Sequence, residues 1–221
     1  MSTVRPLPFA HTNAHDLGKW RFRAWIVARL AIPRSYRALY EGHLHMPGQM
    51  WFEDRRVLYE AVRALRPERC FEIGTWLGGG STLVIARALR ENGSGKLHTI
   101  EIMPDVHADA IRSYERHAPE LRPFVEFHQG DYEAVFPELI KRAGGVDFFV
   151  VDGAEDGTQT MEQFEFFDAV SHPSTGLFAH DWESEKSRHV RPHLEQSDRW
   201  DVVRTAGPPK SVGLAVAVRR S

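Results

Sequence analysis

The sequence predicts a doubly wound α/β sheet of seven mostly parallel strands, and three observations support this fold class. Apolar strand-like runs alternate five times with segments of helical periodicity, which is the pattern of strand–helix units in a parallel sheet. Four glycines lie within seven residues, Gly74 to Gly80, between the first strand and its helix. The last two runs are joined by Gly207-Pro208-Pro209, a connection so short that it forces an antiparallel hairpin.

An N-terminal helical extension, residues 1–50, precedes this domain, which we expect to span residues 51–221. Lys19–Ile32 has apolar residues at helical spacing, an arginine-rich opposite face and a proline at its end. This helix has three interpretations: it packs on the domain or across a homodimer, it covers the substrate as a lid, or it lies on a membrane surface. His43 and His45 follow in a loop, as either pocket or surface residues.

The remaining elements follow from the apolar pattern and from residues that start or stop a helix. Pro104 suits the first turn of a helix, and Gly144-Gly145 ends another. The expected helices are 51–65, 81–90, 104–117, 132–143, 160–170 and Glu183–Gln196. The expected strands are Cys70–Ile73, Lys96–Ile102, Val125–His128, Asp147–Val151, Leu177–Ala179, Asp201–Thr205 and Val212–Val218.

Composition excludes several classes of protein. With 42% apolar residues, 26% charged residues and a net charge of −2, the chain does not resemble a nucleic-acid binder with a wholly basic surface. The single cysteine, Cys70, excludes an internal disulfide and a cysteine-cluster metal site, and we expect it to be buried. No signal peptide and no membrane-spanning run is visible, so the default expectation is a cytoplasmic protein without stable membrane insertion.

An acidic or polar group lies at the end of each of the five parallel strands. Because ligands of such sheets bind beyond the carboxyl ends of the strands, these groups should share one rim. They are Glu72, Glu101, Gly130-Asp131-Tyr132, Asp152-Gly153 and His180-Asp181. Five in series favour a ligand site over five unrelated caps and turns.

The charge of this rim indicates the kind of ligand. Glu101 is placed to accept both hydroxyls of a ribose, as the corresponding acid does in dinucleotide enzymes, so it predicts an adenosine ligand. The glycine spacing is G-x-x-x-G-G-G, which departs from the G-x-G-x-x-G of a pyrophosphate site. A rim of acids would also repel pyrophosphate, whereas it would attract a cationic adenosine derivative.

The chain contains, in this order, FEIGTWLGGGST, TIE, GDYEAVFPEL, VDFFVVDGAE and FAHDW. This ordered set resembles the class I S-adenosylmethionine-dependent methyltransferases, whose fold is Rossmann-like. More narrowly, it is similar to their small-molecule O-methyltransferase branch, with the catechol and caffeoyl-CoA enzymes and bacterial relatives acting on sugars and natural products. The resemblance covers roughly residues 51–219 and implies S-adenosylmethionine as methyl donor and a small-molecule hydroxyl as acceptor.

The resemblance implies how the methionine part of the donor is bound. Glu72 would lie near its amino group, and the backbone from Gly74 to Gly78, including Thr75, would support the chain. The family commonly has a serine where this sequence has Gly80. Either Ser81 or a backbone N–H should therefore bind the methionine carboxylate.

The adenosine part would meet the next two strands. By the same resemblance, Glu101 holds the ribose, and Asp131 or Tyr132 contacts the adenine. Asp131 also suits the N-cap of the following helix, and the two roles are compatible.

The acceptor hydroxyl needs a group that removes its proton. Metal-using relatives hold a divalent ion with two acids, which correspond to Asp152 and Asp181, and such oxygen ligands suit Mg²⁺. The position of a third ligand is occupied here by Trp182, which cannot bind a metal. His180 is the alternative, as the base, as part of a different metal site with Glu155, or as a core histidine.

Two other functions remain open at this point. One is an NAD(P)-dependent oxidoreductase with a Rossmann sheet, and the other is a non-catalytic subunit that binds S-adenosylmethionine. A nucleic-acid methyltransferase is disfavoured, because Asp152-Gly153-Ala154-Glu155 stands where such enzymes have (Asp/Asn)-Pro-Pro-(Tyr/Phe). The acceptor is not evident from the sequence, since Trp51, Trp182, His43 and His45 suit a pocket and plain packing equally.

Overall fold

The computed structural model describes residues 50–154, 156–208, 211 and 213–221, together with Tyr36, Leu39, Met46 and Gly48. The expected N-terminal helix Lys19–Ile32 and the residues His43, His45 and Glu155 lie outside this described part. The helices are α1 (Phe52–Leu65), α2 (Ser81–Asn92), α3 (Pro104–His117), α4 (Tyr132–Ala143), α5 (Gly157–Asp168) and α6 (Val190–Glu195). The strands are β1 (Arg69–Ile73), β2 (Lys96–Glu101), β3 (Val125–Gln129), β4 (Val146–Val151), β5 (Ser171–His180), β6 (Trp200–Ala206) and β7 (Leu214–Arg219). Short 3₁₀ turns cover Pro119–Phe124 and Glu185–Ser187.

The seven strands form one sheet in the order β3-β2-β1-β4-β5-β7-β6. β1 pairs in parallel with both β2 and β4, so the winding reverses between β1 and β4. This reversal is the place where doubly wound sheets bind their ligands. β7 is antiparallel to both β5 and β6, because the chain reverses direction between Ala206 and Leu214. The predicted fold class is therefore confirmed.

Each face of the sheet is covered by its own helices. Neighbouring strand residues point to opposite faces, so Cys70 packs beneath α1 and α2 whereas Phe71 packs against Phe136 of α4. On the same side as Phe71, Phe149 stacks on Phe167 of α5 with ring centroids 4.7 Å apart. Burial of each such aromatic ring stabilises the fold by roughly 1.5–3 kcal/mol. Cys70 is fully buried, as expected, and burial raises the pKa of its thiol well above the usual range.

β5 is longer than the sequence predicted. We expected Leu177–Ala179, whereas the strand runs over Ser171–His180. The polar Thr175 makes this extension possible, because its hydroxyl accepts from the His172 N–H (3.0 Å) and donates to the Val146 carbonyl (2.9 Å). These bonds lie where the pairing of β4 with β5 shifts register.

The single helix expected over Glu183–Gln196 is wrong. The segment instead contains the 3₁₀ turn Glu185–Ser187 and the separate short helix α6. The hydroxyl of Ser184 accepts from the Lys186 N–H at 3.2 Å and so begins the turn as an independent unit. Among the described residues, no helix is long and apolar enough to cross a membrane.

Candidate active site

The loop between β1 and α2 lies tightly against the neighbouring strands. The N–H groups of Gly74 and Thr75 both donate to the carbonyl of Ile100 on β2, at 3.0 and 3.1 Å. Gly74 has a φ of +92°, and a Cβ added there would lie 2.8 Å from the Cα of Gly153 at the end of β4. The positive φ and the close approach to Gly153 both require glycine at position 74. The loop therefore lies close to the reversal point of the sheet.

The start of α2 opens onto free space in the described structure. A Cβ added at Gly80, the N-cap of α2, would meet no described atom within 4 Å, whereas one at Gly78 would lie 2.9 Å from the ring of Tyr114. Ser81 follows as the first residue of the helix. Helix N-termini leave backbone N–H groups free, so an anionic group can be bound here.

Residues just before α1 cover part of this loop. A Cβ built on Gly48 would lie 2.2 Å from the carbonyl carbon of Gly79 and 2.3 Å from the nitrogen of Gly80. Met46 and Met50, on either side of Gly48, are buried. The end of the predicted extension therefore forms one wall of the glycine loop.

Glu72 is a fully buried carboxylate beneath the loop. Its Oε2 accepts hydrogen bonds from Thr82 (2.5 Å) and Thr99 (2.8 Å), and Thr75 in turn donates to Thr99 at 2.6 Å. Its Oε1 is buried and has no hydrogen-bond partner among the described residues. Burial raises the pKa of Glu72 to about 7, against the lowering effect of the hydrogen bonds from Thr82 and Thr99.

Glu101 joins the glycine loop to the end of β2. Its two oxygens accept from the backbone N–H groups of Trp76 (2.9 Å) and Met103 (3.0 Å), so the carboxylate is fixed in position. Trp76 has a φ of +46°, a left-handed conformation that is unfavourable for a non-glycine residue and is often found at binding sites. Ile102 and Met103 expose 65% and 58% of their surface beside this acid. No sequence motif marks these two side chains.

Asp131 and Tyr132 lie at the start of α4. Asp131 accepts from the Glu133 N–H at 3.0 Å and is the N-cap of the helix, the structural role considered for it. Tyr132 packs edge to face on Phe166, with ring centroids 5.2 Å apart. Asp131 itself is exposed, so its carboxylate is accessible to a ligand.

The ends of β4 and β5 bring together Asp152, His180 and Asp181. His180 Nδ1 lies 3.2 Å from Asp152 Oδ1 and 3.9 Å from Asp181 Oδ1. Asp181 has a φ of +56°, so backbone strain is also present at this end of the sheet. The ligand atoms of the three side chains all lie within 4.8 Å of one another, close enough to surround one metal ion.

Asp54 on α1 completes this cluster, although it belongs to none of the sequence motifs. It is fully buried, and its Oδ2 lies 3.2 Å from Nε2 of His180. Both ring nitrogens of His180 therefore face carboxylates. Burial by itself would lower the pKa of His180, but Asp152 and Asp54 outweigh this effect and raise the pKa well above its ordinary value. His180 is bonded to side chains, so it is not the backbone-bonded core histidine that was one alternative.

Trp182 and Lys186 define the surroundings of Asp181. Trp182 is buried in the core, where Arg191 lies over its ring at 5.8 Å, so Trp182 serves packing and does not line an open pocket. Lys186 Nζ lies 3.6 Å from Asp181 Oδ2 and supplies a positive charge beside the cluster.

The reversed sheet, the glycine loop after β1 and the acids after the following strands together define the architecture of the class I methyltransferases. The chain belongs to the methyltransferase-domain family, whose model matches residues 71–182, just over half of the sequence. The matched segment begins beside Glu72, contains the glycine loop and ends at Trp182. The family predicted from the sequence motifs is thus confirmed.

Solved structures with the same fold come from several bacteria. An O-methyltransferase from Bacillus cereus in complex with SAH has a TM-score of 0.65 at 21% identity, covering 92% of this chain and 100% of the other. The O-methyltransferase TomG from Streptomyces achromogenes, involved in tomaymycin synthesis and solved with SAM, has a TM-score of 0.64 at 18% identity, covering 93% and 99%. A methyltransferase from Geobacter sulfurreducens has a TM-score of 0.57 at 22% identity, covering 76% and 78%. At these identities the likeness shows a shared fold. No curated protein matches the sequence.

Proposed function

We propose that this methyltransferase transfers a methyl group from S-adenosylmethionine to a hydroxyl of a small molecule. The observation that carries the proposal is the buried, unpartnered Oε1 of Glu72 below a glycine loop that is otherwise closely hydrogen-bonded. Buried polar atoms in proteins are normally hydrogen-bonded, so Oε1 of Glu72 is expected to bind a ligand. An ammonium group would neutralise the charge of the carboxylate and donate a hydrogen bond to this oxygen. S-adenosylmethionine carries such an ammonium, and its sulfonium adds a second positive charge.

The remaining donor contacts follow from the placement of the loop residues. Glu72 binds the ammonium, the backbone from Gly74 to Gly78 with Thr75 supports the methionine chain, and Ser81 with the N-terminal amides of α2 binds the carboxylate. We assign the methionine carboxylate to the start of α2, because Gly80 has no side chain and leaves space there for the carboxylate.

The adenosine half is assigned to the ends of β2 and β3. Glu101 is held by two backbone N–H groups, and its remaining lone pairs accept from the two ribose hydroxyls. The exposed side chain of Ile102 offers an apolar surface for the adenine ring, and Asp131 or Tyr132 contacts its edge.

The acceptor is activated at the ends of β4 and β5. Asp152 and Asp181 suit Mg²⁺, which prefers oxygen ligands and retains several waters, although Lys186 must move away from Asp181 for an ion to bind. When bound, such an ion lowers the pKa of a hydroxyl. His180 is the positioning residue: Asp152 and Asp54 raise its pKa, which favours the protonated ring, and its Nδ1 lies 3.2 Å from the Asp152 carboxylate and fixes it in place.

The N-terminal extension, residues 1–50, is assigned to the acceptor pocket. Gly48 contacts the glycine loop, so this end of the extension lies beside the proposed donor site. The acceptor itself is a hydroxylated small molecule.

Calorimetry with the full-length protein tests the donor. S-adenosylmethionine and its demethylated product should bind with micromolar-range affinity, whereas NAD⁺ should not bind. Binding of NAD⁺ alone would contradict the proposal. Donor binding without methyl transfer to any hydroxylated acceptor would favour the non-catalytic subunit.

The metal is tested separately in a product assay. Asp181→Ala should abolish methyl transfer, and excess chelator should do the same to the unaltered protein until Mg²⁺ is restored. Full activity in chelator would reject the ion and leave a side chain as the proton acceptor.

A further inference from the structure

A second group of potential metal ligands lies on the first two strands at one edge of the sheet, away from the methyl-transfer rim. It consists of His98 on β2 with Glu126 and His128 on β3. We propose that these three side chains bind Zn²⁺ and that the ion ties β2 to the edge strand β3.

The strand register places all three side chains on one face of the sheet. His98 is paired with Glu126, and His128 lies two residues beyond Glu126 on the same strand. Partners in a parallel pair, and residues two apart on a strand, point to the same side. The ligands therefore converge because backbone pairing places the three residues side by side on one face.

The distances within the group fit a tetrahedral ion. His98 Nδ1 lies 3.2 Å from His128 Nε2. Glu126 Oε2 lies 3.7 Å from His98 Nδ1, and Glu126 Oε1 lies 3.8 Å from His128 Nε2. Ligands at about 2.0–2.1 Å in tetrahedral geometry are separated by roughly 3.3 Å. Small rotations of the Glu126 side chain are sufficient to close the difference. Two imidazoles and one carboxylate leave the fourth position to water, a ligand set that suits Zn²⁺.

The surroundings hold the two rings in place and leave the carboxylate accessible. The ring of His98 stacks on Phe71 at 5.0 Å between centroids, and the edge of Phe136 packs against His128 at 6.4 Å. Both histidine side chains are only 13% exposed, whereas Glu126 is 52% exposed. An ion can therefore enter from the solvent side of Glu126 and reach preformed nitrogen ligands.

The site is separate from the donor site. His98 precedes Glu101 by three strand residues, which is about 10 Å along β2. The two rings now share one hydrogen bond between Nδ1 and Nε2, in which one nitrogen donates. For both nitrogens to bind an ion, the donating ring moves its proton to its other nitrogen, so no net proton release is required.

Zinc titration of the metal-free, tag-free, full-length protein tests the proposal. Calorimetry should detect Zn²⁺ binding at this site, and an ion at a hundredfold excess over its Kd should raise the Tm by about 5 °C or more. Glu126→Gln should weaken this binding at least tenfold without unfolding the chain, because the side chain is half exposed. His128→Gln should weaken it further.

Two control variants separate this site from other sources of zinc binding. Glu115→Gln removes an exposed carboxylate from α3 and should leave the affinity unchanged. Asp181→Asn impairs the rim cluster and should also leave this binding unchanged. The proposal is overturned if the unaltered protein does not bind Zn²⁺. It is equally overturned if the affinity falls in Asp181→Asn but not in Glu126→Gln and His128→Gln.

Discussion

Replacing Glu72 with glutamine should stabilise the ligand-free protein at neutral and alkaline pH. The carboxylate is fully buried, and burial raises its pKa from 4.5 to about 7. The folded state therefore holds a proton that the unfolded chain releases between these pH values. Glutamine retains the shape and one acceptor for Thr82 and Thr99 but carries no charge.

The size and sign of the effect follow from this pKa. Below pH 4.5 the carboxyl is protonated in both states, so its ionisation contributes no difference there. As the pH rises from 4.5 to about 7 the unaltered protein loses stability, because only the unfolded chain releases the proton there, and above the folded-state pKa the loss is complete. At 1.36 kcal/mol for each unit between the unfolded-state pKa of 4.5 and the folded-state pKa of about 7, the free energy of unfolding is lower by roughly 3 kcal/mol at pH 8.

Urea unfolding at several pH values between 4.5 and 8 measures this difference. The gap between Glu72→Gln and the unaltered protein should widen by about 3 kcal/mol over that range. Glu68→Gln, an exposed carboxylate just before β1, is the control and should show no such widening. A constant gap across the range would refute the reasoning, because it would mean that Glu72 ionises normally.

The same variant should lose affinity for S-adenosylmethionine while it gains stability. An ammonium that pairs with Glu72 lowers its pKa, so donor binding near pH 7 should release a proton. Calorimetry in buffers of different ionisation enthalpy detects that release, and it should vanish in Glu72→Gln. Equal affinity of both proteins for the donor would show that the ammonium lies elsewhere.

Three further substitutions test other parts of the site. Asp54→Asn should lower the pKa of His180, which NMR titration measures, and an unchanged pKa would exclude the pair. It should also lower the free energy of unfolding by about 3 kcal/mol or more below pH 6.5, where the protonated ring is stabilising. This loss should shrink as the pH rises through the folded-state pKa of His180. Gly74→Ala should lower the free energy of unfolding by at least about 2 kcal/mol, because Gly74 has a positive φ and contacts the end of β4. Gly93 also has a positive φ but faces open space, so Gly93→Ala should lower it by only about 1 kcal/mol. Equal losses in the two variants would refute the importance of the contact. Glu101→Gln should weaken donor binding tenfold or more by calorimetry, and unaltered affinity would remove the ribose assignment.

The sequence was sufficient to predict the fold because its signals are local. The central strands carry apolar runs, the helices are periodic, and the glycines and the terminal hairpin mark turns between them. The extent of β5 was missed, because Thr175 and its neighbours are polar and join the sheet only through hydrogen bonds to β4. The broken helix after His180 was missed for a related reason, since Ser184 can cap a turn wherever the backbone permits it.

The rim acids were predictable because they end strands, but Asp54 was not. An acid in the first turn of a helix is normally explained by its favourable interaction with the helix dipole. The partner of Asp54, His180, is 126 positions away in the sequence. One signal was present: Asp54 lies three and four residues before the buried Val57 and Leu58, and therefore on the buried side of α1. The orphaned oxygen of Glu72 and the convergence of His98 with His128 depend on tertiary packing, which spacing does not reveal.

The position of β7 affects the order in which the protein can be assembled during synthesis. β6 is translated before β7, yet it pairs only with β7, so it has no strand to join when it leaves the ribosome. His180 is paired with Leu214, and the N–H of Trp182 donates to the Gly213 carbonyl at 3.0 Å. The nascent chain thus has to wait for its last strand before His180 and Asp181 are supported from both sides. A ribosome-bound chain that ends before Leu214 should therefore be inactive.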